Sequence, residues 1–463
     1  MLVANYQHVY SSIGELAVNT VFKKILLQTL CECLVTQYID YNLSKSVALS
    51  HMTSSIFTSF TLPNGQVLKN RIVKAAMEEN LATYEHLPGI ELKRLYKAWA
   101  EGGVGLIITG NVMVDHLAMT GPGGVVLEQD TDLTPFIELA MLSKTNDTKV
   151  WMQINHPGRQ VFKKMGGKVL SPSDVALDMG KHSAMFSAPK PMDDAEIHDV
   201  IQRFTTTAKR AEQAGFDGVE IHGAHGYLLA QFLSPLTNKR HDQWGGSLEN
   251  RARLLIEVVK SVQAACGEGF AIAVKLNSAD FQRGGFDVAD AEQVVKMLGE
   301  LNIDLVELSG GSYEAPAMQG RTADDRTLAR EAYFLEFASK IAKNVAVPIM
   351  TTGGVRRFDV AKQVIDSGVQ LVGMASALAL TSDLPNKWQQ DTAVLGHIPV
   401  VNWKDKTLSG LATMALVKQQ LRRIAAGKSP KLSASPLWAL ITDQLRGAKL
   451  TKRYKKQYKS EIL

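Results

Sequence analysis

The feature that most constrains the fold of this chain is a regular alternation of short apolar runs with amphipathic segments. Eight strand-like runs recur from Arg71 onward, with helical periodicity between them. The runs are Arg71–Met77, Val104–Thr109, Lys149–Ile154, Gly218–His222, Ala271–Leu276, Leu305–Leu308, Val347–Thr351 and Leu371–Met374. Continuous apolar runs are typical of parallel strands that are buried on both faces. Eight such units predict an α/β fold with a single (β/α)₈ TIM barrel rather than an open doubly wound sheet.

The segments on either side of this alternation define the predicted domain organisation. An Asn-Gly turn within Thr61–Leu68 predicts an N-terminal hairpin. Residues 1–52 share no motif with the rest and are predicted to be a separate extension, with residues 1–51 dispensable and Met52 a candidate start. Residues 53–390 are predicted to form the barrel, and residues 391–463 a helical, basic C-terminal extension.

Composition and charge narrow the function classes. A net charge of +5 is small for 463 residues and requires neither nucleic acid nor a membrane. The three cysteines are too few for a disulfide framework or a structural metal site, which favours a reducing compartment. The most apolar run, Val21–Ile39, is interrupted by charged and amide side chains, so no transmembrane helix is predicted. We expect a cytoplasmic protein.

A cluster of polar aromatic side chains follows the fourth run. His222, His225 and Tyr227 are spaced so that two imidazoles could point at one oxygen atom. Such a donor pair polarises a carbonyl and stabilises the enolate that forms from it. A tyrosine two residues further on could supply a proton. A buried structural pair or a metal pair would give the same spacing.

Glycines at the ends of the last two runs indicate a phosphate site. Gly353 and Gly354 follow the seventh run, and Gly373 lies near the end of the eighth. Backbone N–H groups can approach a phosphate closely at such positions, where barrels of this type usually hold one. Simple tight turns would produce the same pattern.

The segment Phe216–Arg251 resembles the signature of the old yellow enzyme family of NAD(P)H:flavin oxidoreductases. Leu68–Met77, Gln153–Arg159 and Thr352–Arg356 match the family in the same order, and the resemblance covers about residues 54–390. It implies FMN bound non-covalently in the mouth of the barrel, with NADH or NADPH as the reductant.

The resemblance also implies roles for individual residues. The residues that would contact the flavin ring and its phosphate are Ala75, Ala76, Met77, Glu78, Gly110, Gln153, Lys275, Gly353, Gly354, Ala375 and Ser376. His222 and His225 would bind the carbonyl oxygen of the substrate, and Tyr227 would be the proton donor.

Three positions depart from the family pattern. Lys275 stands where an arginine is usual, and it keeps the positive charge with fewer donors. Ser376 replaces a common phosphate-binding arginine, so Arg356 or Arg357 could take over that role. Relatives carry Thr or Cys beside the flavin at the position of Glu78. The carboxylate of Glu78 would either lie beside the flavin or face solvent.

The function implied is that of an ene-reductase, which passes a hydride from the nicotinamide to flavin N5 and then to an activated alkene. An α,β-unsaturated carbonyl or a quinone-like acceptor would be the partner, with ping-pong kinetics and a possible homo-oligomer.

Other flavin-binding functions were weighed against this one. The 2,4-dienoyl-CoA reductase branch needs an iron–sulfur cysteine cluster, which this sequence lacks. A flavin-dependent RNA modifier of the dihydrouridine synthase type would suit the seven Lys and Arg residues between Arg446 and Lys459, but it expects a loop cysteine. A solvated helix end explains that basic tail more simply. A flavin-binding protein without turnover would not need His222, His225 and Tyr227.

Overall fold

Eight parallel strands in the described part of the chain close into a barrel, in which each strand pairs with the next and the last pairs with the first. The computed structural model describes residues 55–317 and 331–462, so the predicted extension 1–52 lies outside the described residues. The strands are β1 (Ile72–Lys74), β2 (Leu106–Ile108), β3 (Lys149–Asn155), β4 (Gly218–Gly223), β5 (Ala271–Asn277), β6 (Leu305–Ser309), β7 (Ile349–Thr352) and β8 (Leu371–Met374). The predicted (β/α)₈ barrel is confirmed.

Helices follow the strands around the outside of the barrel. The main ones are α1 (Ile90–Glu101), α2 (Thr134–Ser143), α3 (Asp194–Gln213), α4 (Leu248–Ala265), α5 (Val288–Glu300), α6 (Leu335–Ala342), α7 (Phe358–Asp366), α8 (Ser376–Leu380) and α9 (Leu384–Gln390), and a short helix at Leu228–Leu233 follows β4. Local sequence explains where they begin: Asp193 forms a capping box with Glu196 at the start of α3, and Asp287 caps α5.

The interior of the barrel is filled in layers. One layer is apolar and fully buried, and consists of Val73, Ile108, Trp151, Ala273, Leu305 and Met350. Because side chains alternate along a strand, the residues two positions further on also face inward, nearer the carboxyl ends of the strands. That next layer consists of Ala75, Gly110, Gln153, Lys275, Glu307 and Thr352. The barrel therefore presents polar and small side chains above an apolar base.

The predicted hairpin closes the opposite end of the barrel. Phe60–Thr61 and Val67–Leu68 pair in antiparallel fashion, and Gly65 has a φ of +84° in the turn between them. Leu68 is buried among the interior side chains. The amide of Gln66 donates to the carbonyl oxygens that precede β4 and β5, at 2.6 and 2.7 Å.

The C-terminal extension is helical, as predicted, and packs against the barrel. Helix α10 (Lys406–Ala425) contacts α1 and the last helix, α11 (Pro436–Gln457). Tyr454 in α11 is 1% exposed and donates a hydrogen bond to the carbonyl oxygen of His116 at 2.8 Å. The lysines from Lys449 to Lys459 are exposed, as expected of a solvated helix end, whereas Leu450 and Tyr454 of the same helix are buried.

None of the helices in the described residues has the length and apolar character needed to span a bilayer.

Candidate active site

The structure brings the three polar aromatic residues at the end of β4 into contact. The ring centroids of His222 and His225 lie 5.0 Å apart, and those of His222 and Tyr227 lie 4.8 Å apart. Both pairs meet nearly at right angles. His222 is 3% exposed and Tyr227 is 6% exposed, so the group is mostly removed from solvent.

His222 is a neutral hydrogen-bond donor in this arrangement. Burial, together with the nearby His225 and Lys275, holds the pKa of His222 well below its ordinary value. Its Nδ1 accepts a hydrogen bond from the backbone N–H of Ala224 at 3.2 Å. A neutral imidazole that accepts at Nδ1 carries its proton on Nε2. The Nε2–H group is therefore the donor that His222 can offer to a ligand.

His225 is held by contacts with the ends of β5 and β6. Its backbone has a φ of +59°, and its N–H donates to Asn277 Oδ1 at 3.0 Å. Its Nε2 lies 2.8 Å from the hydroxyl of Ser309. Burial and the charge of Lys275 lower the pKa of His225, so this imidazole is neutral too. An energetically costly backbone conformation is thus kept in place at the site.

Buried charges occupy the inward-facing layer below the histidines. Lys275 Nζ lies 2.6 Å from Glu307, and the amide of Gln153 donates to Glu220 at 2.5 Å. Burial alone would lower the pKa of Lys275, but Glu307 and Glu220 outweigh it and raise that pKa. Burial and the neighbouring Glu307 raise the pKa of Glu220 well above its usual range. The layer therefore holds one ion pair, Lys275 with Glu307, beside a second carboxyl group, Glu220, whose charged form is disfavoured.

The ends of β1 and β2 form a small-residue rim. The N–H of Ala75 donates to the carbonyl oxygen of Met374 at 2.9 Å, which joins β1 to β8. A side chain at Gly110 would meet a carboxylate oxygen of Glu79 at 2.1 Å, so no larger residue fits there. Glu79 itself accepts from Tyr96 at 2.8 Å. Ala76 and Met77 continue the rim as partly buried residues.

Glu78 faces the site rather than open solvent. It is partly buried and accepts a hydrogen bond from the hydroxyl of Thr120 at 2.8 Å. Its negative charge is one of the causes that raise the pKa values of Tyr227 and Tyr313, after burial.

The ends of β7 and β8 are close to a carboxylate from the chain itself. Glu331 accepts from the guanidinium groups of Arg356 and Arg357 at 3.0 and 2.9 Å. The backbone N–H groups of the same two arginines also donate to Glu331. A side chain at Gly354 would meet the ring of Tyr333 at 2.5 Å. Both arginines therefore already have an anionic partner.

Ala375 and Ser376 lie beside this cluster at the end of β8. Ser376 is the first residue of the short helix α8, and both residues are partly buried.

The residues around the mouth fit the ring of FMN. Small residues at the ends of β1 and β2 leave room above the apolar layer, while Gln153 and Lys275 offer an amide and a cation. Asn111 Oδ1, next to Gly110, is buried without a hydrogen-bond partner, as expected of an acceptor that awaits a ring N–H. At the phosphate end, Arg356 and Arg357 are less available to bind the phosphate group, because both are already paired with Glu331.

Several residues at the site were not identified from the sequence. Tyr313 lies beyond β6 with its hydroxyl 3.3 Å from that of Tyr227. Glu220 and Glu307 interrupt otherwise apolar strands, and a buried carboxylate needs a partner. The two glutamates within apolar strands could therefore have been identified from the sequence as site residues. Glu331 carried no such signal, because it is distant in sequence from the arginines that it contacts.

Comparison with known proteins identifies the family. The model of the NADH:flavin oxidoreductase / NADH oxidase family matches residues 55–394. The NADH-dependent flavin oxidoreductase iliE of Hypocrea jecorina is 33% identical over 347 residues, which cover 70% of this chain and 86% of that protein. The iliE protein of Neonectria sp. is 35% identical over 380 residues, or 77% of this chain, but the match spans only 50% of that relative.

Solved structures agree with this assignment. An old yellow enzyme homologue from Zymomonas mobilis superposes with a TM-score of 0.64 at 26% identity, covering 74% of this chain and 95% of that one. A 2-naphthoyl-CoA reductase gives a TM-score of 0.68 at 26% identity, covering 74% of this chain and 54% of the reductase. The chain therefore belongs to the NADH:flavin oxidoreductase / NADH oxidase family, the FMN-dependent oxidoreductases that include the old yellow enzymes.

Proposed function

We propose that this protein is an NAD(P)H-dependent ene-reductase that reduces the C=C bond of an α,β-unsaturated carbonyl or a similarly activated alkene. The observation that carries the proposal is the convergence of His222, His225 and Tyr227 at the end of β4, with both imidazoles neutral. Neutral donors bind a carbonyl oxygen without giving up a proton, and they stabilise the negative charge that develops on it.

Each side chain has a separate task in this reaction. The Nε2–H of His222 donates to the carbonyl oxygen of the acceptor, and His225 lies against the same position. Tyr227 protonates the α-carbon, since its hydroxyl is buried next to the histidines. FMN held above these residues would supply the hydride for the β-carbon, with the nicotinamide as its source. Gln153, Lys275, Gly110 and Ala75 would hold the flavin ring, and Gly353, Gly354, Ala375 and Ser376 its phosphate.

The charged layer supports this role for Lys275. Its pKa is raised despite burial, so the ammonium stays charged at neutral pH. A cation at this depth favours the anionic form of reduced flavin. Glu307 offsets part of that charge.

The RNA-modifying alternative expects a cysteine in a loop at the active site, and the described residues provide none there. Cys266 lies at the C-terminal end of α4, just before β5, and so at the opposite end of the barrel from His222. Burial also raises the pKa of its thiol to about 11.

The test uses the full chain loaded with FMN. Anaerobic NADH and NADPH are titrated first, and the reduced protein is then mixed with a cyclic enone or a quinone in a stopped-flow instrument. We expect reduction by a nicotinamide and reoxidation by both acceptors. In Tyr227→Phe, reoxidation by the enone should slow strongly, while reduction and reoxidation by the quinone stay near normal. Tyr84→Phe, at an exposed tyrosine, is the matched control. Failure of the wild-type protein to reduce any enone would refute the proposal.

A further inference from the structure

A second, partly buried tyrosine contacts the proposed proton donor. Tyr313 lies beyond β6, and its hydroxyl oxygen is 3.3 Å from that of Tyr227. The two rings meet at 71° with centroids 6.0 Å apart. The ring of Phe186 covers the other side of Tyr313, with centroids 6.2 Å apart. The hydroxyl of Tyr313 therefore has a defined partner, the hydroxyl of Tyr227.

The loop that carries Tyr313 is fixed on both sides. Before it, the amide of Asn277 donates to the carbonyl oxygen of Gly311 at 3.1 Å, and the same side chain accepts from the N–H of His225. After it, Glu314 accepts from Arg159 at 2.6 Å in an ion pair that is largely buried. Glu314 also accepts from the N–H of Asp178 at 2.8 Å. Because these contacts lie on both sides of Tyr313, they restrict the positions that its side chain can take.

Proton donation by Tyr227 leaves a negative charge on its oxygen, and the hydroxyl of Tyr313 is placed where it can stabilise that charge. Burial, with Tyr313 and Glu78 as further causes, raises the pKa of Tyr227 well above its ordinary value. A phenolate formed there would be poorly stabilised by solvent, and it would lie near the carboxylate of Glu78. The side chain of Asn111 acts in the other direction and lowers the pKa of Tyr227, but it does not outweigh burial. Either hydroxyl can be the donor in the contact between the two tyrosines. When Tyr227 donates, Tyr313 opposes the loss of the Tyr227 proton. Turning the O–H of Tyr313 towards the Tyr227 oxygen would instead stabilise the phenolate and favour the proton transfer.

We propose that Tyr313 is a positioning residue for the proton transfer, whose hydroxyl donates to the Tyr227 oxygen while that oxygen loses its proton to the substrate carbon. The inference rests on the ene-reductase function proposed above. The O–H bond of Tyr227 breaks, its proton bonds to the α-carbon of the enolate, and the electron pair of the bond stays on the phenolate oxygen. Tyr313 then transfers its own proton to that oxygen and is reprotonated from water.

The test compares Tyr313→Phe with Tyr84→Phe, because both changes remove only a hydroxyl. We expect Tyr313→Phe to slow reoxidation by the enone about ten- to a hundredfold, as for a lost hydrogen bond to a charged oxygen. Reduction by the nicotinamide and reoxidation by a quinone should stay within about twofold. The rate of reoxidation by the enone is also measured in mixtures of H₂O and D₂O. Plotted against the deuterium fraction of the solvent, this rate should follow a curve in the wild type and a straight line in Tyr313→Phe. The double variant with Tyr227→Phe should be no slower than Tyr227→Phe alone.

A second readout does not depend on turnover. With tyrosine labelled at the ring carbon that bears the hydroxyl, the NMR signal of Tyr227 should move in Tyr313→Phe and stay in place in Tyr84→Phe. An unmoved signal, or an unchanged enone rate in Tyr313→Phe while Tyr227→Phe is slow, would overturn the role of Tyr313 alone. If the wild type reduces no enone, the proposed function fails as well, whereas the NMR result still decides the hydrogen bond.

Discussion

The ammonium nitrogen of Lys275 lies 2.6 Å from a carboxylate oxygen of Glu307, and both side chains are buried inside the barrel. The two residues face each other across β5 and β6, in register. A buried ion pair is costly to break because the remaining charge has no partner. The charge that the flavin would experience is therefore that of the pair, not that of Lys275 alone.

The first prediction concerns this pair and the flavin midpoint potential. Lys275→Met should lower the potential, because it removes the cation that stabilises anionic reduced flavin. Glu307→Gln should raise it, because it leaves the cation uncompensated. Each shift should be about 30 to 60 mV, where about 30 mV corresponds to 1.4 kcal/mol for a two-electron couple. Potentials are measured with reference dyes under xanthine and xanthine oxidase reduction.

The double variant Lys275→Met with Glu307→Gln controls for an unpaired buried charge. It should fold at least as well as Lys275→Met alone, and its potential should lie between those of the single variants. Shifts of the same sign in both single variants would show that Lys275 does not act on the flavin.

The second prediction concerns the two imidazoles. A para-substituted phenol should bind through its oxygen to His222 and His225, which can be followed as a change in flavin absorbance. His222→Ala and His225→Ala should each weaken binding, and each should slow enone reduction by about 10²–10³. Because both side chains act on one atom, the double variant should lose less than the product of the single effects. His241→Ala, at an exposed histidine, is the control. Unaltered phenol binding in both single variants would place the carbonyl site elsewhere.

The third prediction concerns the rim at the end of β2. Gly110→Ala adds a carbon where Glu79 Oε2 would be 2.1 Å away and the carbonyl oxygen of Met77 2.2 Å away. The backbone must shift, and we expect a loss of about 1–3 kcal/mol in the free energy of unfolding. Gly447→Ala in α11, where nothing lies within 4 Å, is the matched control and should stabilise the protein slightly. Thermal denaturation measures both. An equal melting temperature for the two variants would argue against a tight rim.

Much of this architecture follows from local patterns in the sequence. The apolar runs identified all eight strands, because each is buried on both faces, and the two-residue alternation along them places Gln153 and Lys275 in one layer. Glu307 could have been paired with Lys275 from the register of neighbouring strands. Other contacts have no local signal. Tyr313 reaches Tyr227 only after Gly311 redirects the chain with a φ of +86°. The contact of Glu331 with Arg356 joins residues 25 positions apart, and no pattern in the sequence connects them.

The packing of the tail against the barrel was not predicted from the sequence. A helix with many lysines resembles a solvated surface element, and its exposed face fits that description. The contacts of α11 with loops more than 300 positions earlier in the chain come from a few residues, among them Arg453 and Tyr454. Periodicity within α11 does not reveal which surface its apolar residues meet.

The last prediction concerns how this tail is held at different pH values. His116 lies between two carboxylates, with Nδ1 2.9 Å from Glu128 and Nε2 2.9 Å from Glu461. The hydrogen bond with Glu128 is the main cause that raises its pKa to about 9, from 6.5. Because the folded-state pKa lies above the unfolded one, the stabilisation is complete below pH 6.5 and is lost as pH rises through 9. We expect about 1–2 kcal/mol at pH 6, allowing for partial exposure of the pair with Glu461.

Thermal denaturation of the wild type, His116→Gln and Glu461→Gln at pH 6 and pH 9.5 tests this expectation. At pH 6 both variants should melt about 2–4 °C below the wild type, and the gap should close at pH 9.5. Lys74 has the opposite dependence, since burial lowers its pKa to about 8, but it is present in all three proteins and cancels from the comparison. A gap between wild type and His116→Gln that is the same at both pH values would show that His116 contributes by packing against Tyr458 rather than by its charge.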